Sequence, residues 1–249
     1  GFAHALDKYG TMSLKEVLQP SIKLAAKGFE IPWDLSEILK VRKAALTKHE
    51  ATAKAFYKPD GTPYEAGETL VQKDLAKTLK AIAKKGPEAF YSGSIAQLIV
   101  AEMERQDGVI AAADLENYQV RSKQPVTGNY RGYDIVSMPP SSSGGVHIIQ
   151  ILNILEQFPM NEYGANSAQS IHVMAEAMKL AYADRSEYLG DADFYDVPVA
   201  GLTAKAYGQA LAKTINVDAS TPSSEIKAGN PAPYESPDTT HFSVMDSFG

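Results

Sequence analysis

Asp238-Thr239-Thr240-His241-Phe242-Ser243-Val244 is the stretch on which the fold turns. Its β-branched and aromatic residues alternate, which reads as a strand with Thr239, His241 and Ser243 on one face and Thr240, Phe242 and Val244 on the other. A threonine is a poor nucleophile without a base beside it. Alternate residues on a strand face lie about 7 Å apart, so His241 is not placed to serve Thr239 through a direct hydrogen bond. The simplest remaining base is the α-amino group of Thr239 itself, freed once the Asp238/Thr239 bond is cut. Immediately upstream, residues 220–237 are rich in Pro, Ser, Gly and Lys without periodicity and read as a loop or linker. Two readings stay open at this point. Either Thr239 is an ordinary strand residue, or it is a nucleophile that opens a strand after a linker, as self-cleavage followed by N-terminal threonine catalysis requires. On the second reading, a nucleophile ten residues from the end leaves little chain for an oxyanion hole, and the chain is expected to be a fragment.

Outward from this stretch the chain reads as helix-rich. Ser13 and Glu16 have capping-box spacing, and Leu14, Val17, Leu18, Ile22 and Ala25 then mark a helical face that ends at Gly28, with a kink expected at Pro20. A second helix is expected from an Asp74 cap, with Leu75, Leu79, Ile82 and Ala83 inward and Gly86-Pro87 as its stop. A third spans Ser94 to Gln106, with Ile95, Leu98, Ile99 and Met103 inward. Lys58-Pro59-Asp60-Gly61-Thr62-Pro63 is turn chemistry, and the residues from Gln119 to Met138 read as short strands with a turn. Val146 to Phe158 is apolar around most of its circumference and reads as a buried helix. Asn166, with Gln169 three later, is the expected cap of a long helix reaching about Leu189 with Ile171, Met174, Met178 and Ala181 inward; a last helix begins after Thr203.

Composition sets limits. The hydrophobic share of 44%, the charged share of 22% and the length of 249 residues suit a globular chain with a sizeable core, read as a single structural domain. A net charge of −6 with no basic stripe argues against nucleic acid, and no apolar run is long enough for a membrane span. The absence of cysteine rules out thiolate catalysis, disulfides and cysteine-ligated zinc. The first residues, Gly1-Phe2-Ala3-His4, carry no initiator methionine or signal pattern, so both ends suggest excision from a longer protein.

Other candidate sites read as structural. Ser141-Ser142-Ser143-Gly144-Gly145 could hold an anion on backbone amides, but it lacks the lysine and spacing of a phosphate loop and suits a tight turn that lets a helix pack closely. His147 and His172 fall among apolar helical neighbours, with no second histidine at ligand spacing, so no metal is expected. Asp184, Glu187, Asp191, Asp193 and Asp196 around Arg185 lack the alternation of a calcium loop and read as a solvated helix end, where Arg185 could tie elements together through carboxylates.

Several segments together resemble one family. Thr239-Thr240-His241-Phe242-Ser243-Val244 with Gly249 looks like the start of the γ-glutamyltransferase signature. Ala5-Leu6-Asp7-Lys8-Tyr9-Gly10, Tyr130-Arg131-Gly132-Tyr133, the run from Ser137 to His147, the run from Ala181 to Asp191, and Ala232-Pro233-Tyr234-Glu235-Ser236 look like large-subunit segments of bacterial members, in family order. The resemblance implies an α+β, helix-rich chain forming part of an N-terminal-nucleophile hydrolase with a layered α/β/β/α core. It implies a precursor cut at Asp238/Thr239, so that 1–238 is a partial large-subunit region and 239–249 the first strand of the small subunit, the two subunits forming a heterodimer. Thr239 would be the catalytic nucleophile that takes a γ-glutamyl group from glutathione or a related donor to water, an amino acid or a peptide. No metal or organic cofactor is implied, and the location implied is periplasmic or extracellular. The donor-binding arginine and the oxyanion hole would lie outside these residues, so the fragment is expected to be inactive and unprocessed by itself. The alternatives are a related acylase acting on glutaryl β-lactams, or a non-catalytic helical scaffold or binding module.

Overall fold

A computed structural model describes residues 1–235, so Asp238 and Thr239 lie outside the described residues. The chain divides into two compact units, Gly1–Arg121 and Ser122–Gly249. The first holds α1 (Phe2–Tyr9), α2 (Leu14–Lys27), α3 (Trp33–Val41), α4 (Lys43–Leu46), α5 (Glu50–Phe56), α6 (Lys73–Lys85), α7 (Glu88–Tyr91), α8 (Ser94–Arg105) and α9 (Ala112–Glu116), with the short antiparallel pair β1 (Phe29–Glu30) and β2 (Thr69–Leu70). The second holds the hairpin β3 (Val126–Tyr130) and β4 (Tyr133–Ser137), then α10 (Ser143–Leu155), α11 (Met160–Tyr163), α12 (Ala168–Tyr188), α13 (Val199–Thr203), α14 (Lys205–Ala212) and a 3-10 turn at Ala232–Tyr234. The helix-rich α+β class is as expected, and the described strands form two two-stranded sheets, one in each unit.

In the first unit, local signals set the helix ends. Ser13 accepts the Glu16 N–H while Glu16 accepts the Ser13 N–H, a capping box, and α2 runs unbroken through Pro20 to Lys27 before Gly28 turns away at φ 89°. The expected cap of α6 is corrected. The helix starts one residue after Gln72, which places Asp74 inside the first turn, where it pairs with Lys77 at 2.9 Å instead of capping. The expected inward faces hold except at one residue each: α2 buries Ile22 and Ala25 and half-buries Leu14 and Leu18, with Val17 exposed; α6 half-buries Leu79, Ile82 and Ala83, with Leu75 exposed and Ala76 buried; α8 half-buries Ile95, Ile99 and Met103, with Leu98 exposed and Ala96 buried. A small core of Ile31, Leu39, Tyr57 and Leu70 closes around the β1/β2 pair.

The second unit is built on α10. β3 and β4 pair in register from Val126↔Ser137 to Tyr130↔Tyr133, and the two turn residues Arg131 and Gly132 both have positive φ, 49° and 87°, the turn that suits the twist of a two-residue hairpin. The turn is pinned to the end of α10: the Arg131 N–H donates to Glu156 Oε1 at 2.9 Å and its guanidinium to the Phe158 carbonyl at 2.9 Å. The helix starts earlier than expected, inside the glycine-rich loop, with the Ser142 hydroxyl capping the Gly144 N–H at 3.1 Å. A Cβ at Gly145 would stand 2.2 Å from the Met138 carbonyl oxygen, so the loop is a close-packed turn. α10 buries Val146, Ile149 and Ile154 against Val173, Ala177, Leu202, Tyr207 and Leu211.

The long helix α12 differs from its sequence reading in two ways. Ser167 caps it, accepting the Ser170 N–H at 3.1 Å, while Asn166 takes the left-handed conformation at φ 59° that asparagine tolerates. The inward face consists of Ser170, Val173, Glu176, Ala177, Ala181 and Asp184, and the apolar stripe of Ile171, Met174 and Met178 points outward, 38–52% exposed. Polar residues are buried here because they have partners, which hydrophobic periodicity cannot register.

Candidate functional site

Thr239 and Asp238 carry the proposed chemistry and are not described, but the chain that leads to them is described as far as Glu235. From Asn216 to Glu235 this strap has no regular element except the 3-10 turn, so its backbone groups need partners from elsewhere. Side chains of α12 supply most of them. His172 Nε2 meets the Asn216 carbonyl at 2.8 Å, and Lys179 Nζ donates to the Thr221 carbonyl at 2.9 Å. Glu176 accepts from the Ser220 hydroxyl at 2.9 Å and from the Lys179 ammonium at 2.7 Å. Desolvation works against the Glu176 carboxylate, yet its bonds to Lys179 and Ser220 prevail and hold it below the usual carboxylate range. A cavity of about 260 Å³ lies under the strap between Glu176, Leu180, Leu211, Ile215 and Ile226.

The strap is then fixed at Gly229 by a buried carboxylate. Asp184 is fully buried; its Oδ1 accepts the Gly229 N–H at 2.7 Å, and its Oδ2 accepts the Tyr207 hydroxyl at 2.7 Å and the Gln150 side-chain amide. The Tyr188 hydroxyl donates to the Gly229 carbonyl at 2.7 Å, so both backbone polar groups of that residue are held. Burial pushes the Tyr207 hydroxyl far above its ordinary value, and donating to Asp184 pushes it the same way. It is therefore a fixed donor and no acid. The solvated helix end expected for the acidic cluster is thus corrected at Asp184, because three donors converge there. Asp191 and Asp193 are exposed as expected and face Lys123, with Asp193 Oδ1 at 3.2 Å. Arg185 lies over the Tyr182 ring at 5.9 Å and, among the described residues, in no carboxylate pair.

The network continues inward from Gln150 to His147. Gln150 gives its amide N–H to Asp184, so its oxygen faces His147 Nδ1 at 2.9 Å, which makes Nδ1 the protonated nitrogen. The other ring nitrogen is buried without a partner among the described residues, and burial holds the imidazole below its ordinary value of 6.5. Among the described residues no group of three or more potential metal-ligating side chains comes together. The arrangement fixes an irregular segment in place.

Sequence reasoning missed Gln150, Tyr207 and Gly229 as parts of this arrangement. The available signal was Gln150, one of three polar residues, with His147 and Asn153, between Val146 and Leu155 in a largely apolar helix, and the pair Asp184 and Tyr188 on one helical face.

Three comparisons place the chain among known proteins. The chain is 51% identical over its whole length to the glutathione hydrolase proenzyme of Escherichia coli (strain K12), covering 43% of that protein. It is 41% identical, again over its whole length, to the acylase ACY 1 proenzyme of Pseudomonas sp. (strain V22), covering 44% of it. It therefore spans less than half the length of these curated relatives. The crystal structure of Helicobacter pylori γ-glutamyltranspeptidase superposes with a TM-score of 0.84 at 46% identity, over 92% of this chain and 66% of that one. The family model described as gamma-glutamyltranspeptidase matches residues 1–249, and the chain belongs to the γ-glutamyltranspeptidase family.

Proposed function

We propose that the protein to which these residues belong is a γ-glutamyl-transferring enzyme and glutathione hydrolase whose nucleophile is Thr239. The observation that carries this is the family match, which runs without a break through Asp238-Thr239-Thr240-His241. It is supported by the strap, whose many bonds make sense if the residues after Glu235 must be presented accurately.

In the first stage the Thr239 hydroxyl attacks the Asp238 carbonyl carbon. The C–N bond breaks as the hydroxyl proton passes to the departing nitrogen, leaving Asp238 esterified to the Thr239 oxygen and a free α-amino group on Thr239. Water then hydrolyses the ester to the Asp238 carboxylate and the Thr239 hydroxyl. The new amino group, with an ordinary pKa of about 7.7–8.0, is a base near working pH. In the second stage Thr239 attacks the γ-glutamyl amide carbonyl, the amine leaves with a proton, and the γ-glutamyl ester passes to water or to the amine of an acceptor. The two polypeptides stay together as large and small subunits, in the periplasm or outside the cell, and the 249 residues by themselves remain unprocessed.

The test uses the full-length precursor. The expected result is cleavage into two chains and release of anilide from γ-glutamyl-p-nitroanilide, both abolished in Thr239→Ala. A T239A precursor that still cleaves at this bond overturns the assignment. A second reading is favoured by the 41% identical acylase ACY 1 proenzyme: the same threonine acting on a glutaryl β-lactam side chain. Preference for a glutaryl over a γ-glutamyl substrate in the same assay would select it.

A further inference from the structure

The last described contact of the strap is a clasp on the first turn of α13. Glu235 Oε2 accepts the Gly201 N–H at 2.5 Å, and among the described residues the Glu235 carboxylate pairs with no cation. The Glu235 amide closes the preceding turn, donating to the Pro231 and Ala232 carbonyls, each at 3.2 Å. Gly201 is buried in α13, and a Cβ there would stand 2.5 Å from the Pro231 carbonyl oxygen and 2.9 Å from Glu235 Oε2. Position 201 must lack a side chain for the clasp to close. Tyr234, one residue before Glu235, lies with its ring 5.3 Å from that of Tyr207, whose hydroxyl is bound to Asp184, so the clasp is backed by the buried network.

Glu235 precedes Asp238 by three residues. An extended chain advances at most ~3.3–3.6 Å per residue, so covalent reach alone keeps Asp238 within about 11 Å of Glu235, and the clasp fixes the point from which that short tether starts. Attack of a side chain on its own backbone depends on such confinement, and a displacement of about 1 Å can cost on the order of a hundredfold in rate.

We propose that Glu235 is a positioning residue for cleavage at Asp238/Thr239, and that the Glu235–Gly201 clasp sets the geometry of that self-cleavage. The inference rests on the processing reading given under Proposed function. Once the bond is cut, Asp238 ends one polypeptide and Thr239 begins the other, and the clasp loses its covalent hold on the nucleophile. It therefore acts on maturation and not on turnover.

The experiment follows the full-length precursor carrying Glu235→Ala, Glu235→Gln, Gly201→Ala or Thr239→Ala. Cleavage is timed by intact mass, melting temperature is read in the uncleavable T239A background, and kcat and KM are measured on the matured fraction. E235A and G201A are expected to slow cleavage by about 10- to 100-fold. E235Q keeps an acceptor oxygen and is expected to cleave more like the parent than like E235A. Melting temperature with E235A added to T239A is expected to stay near that of T239A alone, and kcat and KM per matured molecule are expected to be unchanged. Wild-type cleavage by E235A overturns the inference. A slowing matched by lost melting temperature also overturns it, as does an equal loss in kcat of the mature enzyme. If E235A fails to accumulate, Glu235→Asp, one methylene shorter, carries the same expectation of slower cleavage than E235Q. T239A still cleaving sinks the processing reading and this inference with it; T239A blocked with E235A unimpaired sinks the inference alone.

Discussion

In the Gly1–Arg121 unit the buried polar side chains end on backbone: the Tyr57 hydroxyl donates to the Leu39 carbonyl at 2.7 Å and the Ser36 hydroxyl to the Tyr64 carbonyl at 2.9 Å. In the Ser122–Gly249 unit Asn153 and Ser170 also end on backbone, but others are joined to one another, from His147 through Gln150 and Asp184 to Tyr207, and reach backbone at Gly229. The first pattern completes local structure, since Leu39 sits near the end of α3, where carbonyls lack helical partners. The second holds in place a segment that has no regular structure of its own. Buried polar groups joined to one another are costly when incomplete, so this unit concentrates its vulnerability in few residues.

The largest expected effect tests that concentration. Asp184→Ala removes the acceptor from Gln150, Tyr207 and Gly229 at once. At about 1–3 kcal/mol for each donor stranded, the loss of stability in urea unfolding should be on the order of 3 kcal/mol or more. A loss under about 1 kcal/mol would mean that water replaces the carboxylate and the network is not the keystone described. In the other unit Tyr57→Phe deletes a single bond to backbone and should cost about 0.5–1.5 kcal/mol by the same measurement. If the two substitutions prove equal, the contrast between the units fails.

The smallest effect is a pH dependence. The His147 imidazole titrates below its ordinary value of 6.5 in the folded chain, so the unfolded chain takes up the proton first as pH falls. Stability contributed by the neutral ring is present in full above pH 6.5 and declines as pH drops from there toward the lower folded value. His147→Asn should flatten that part of the stability–pH curve. An unaltered slope in the His147 variant would locate the acid sensitivity elsewhere.

What the sequence discloses follows the range of the interaction. The Ser13/Glu16 capping box, the stops at Gly28 and Gly86, the hairpin flanking Arg131-Gly132 and the apolar α10 are all written within a few neighbouring residues. The inward face of α12 is not, because Glu176 and Asp184 are buried by partners 44 and 45 residues away in sequence. Two cap-type residues in succession, Asn166 and Ser167, leave the start of that helix undecided by pattern alone. For the candidate site, the family segments and Thr239 were legible as motifs. The tethers that lead to them were not, since Gly201 and Glu235 lie 34 residues apart and meet only after folding.

The Gly229 peptide illustrates what such tethering implies for motion. Its N–H is given to a buried carboxylate and its carbonyl to the Tyr188 hydroxyl, although it belongs to no helix or strand. Exchange of that hydrogen with solvent requires the Asp184 network to open, on the timescale of local unfolding and not of loop fluctuation. One amide in an irregular stretch thus serves as a clock for how often the whole strap lets go.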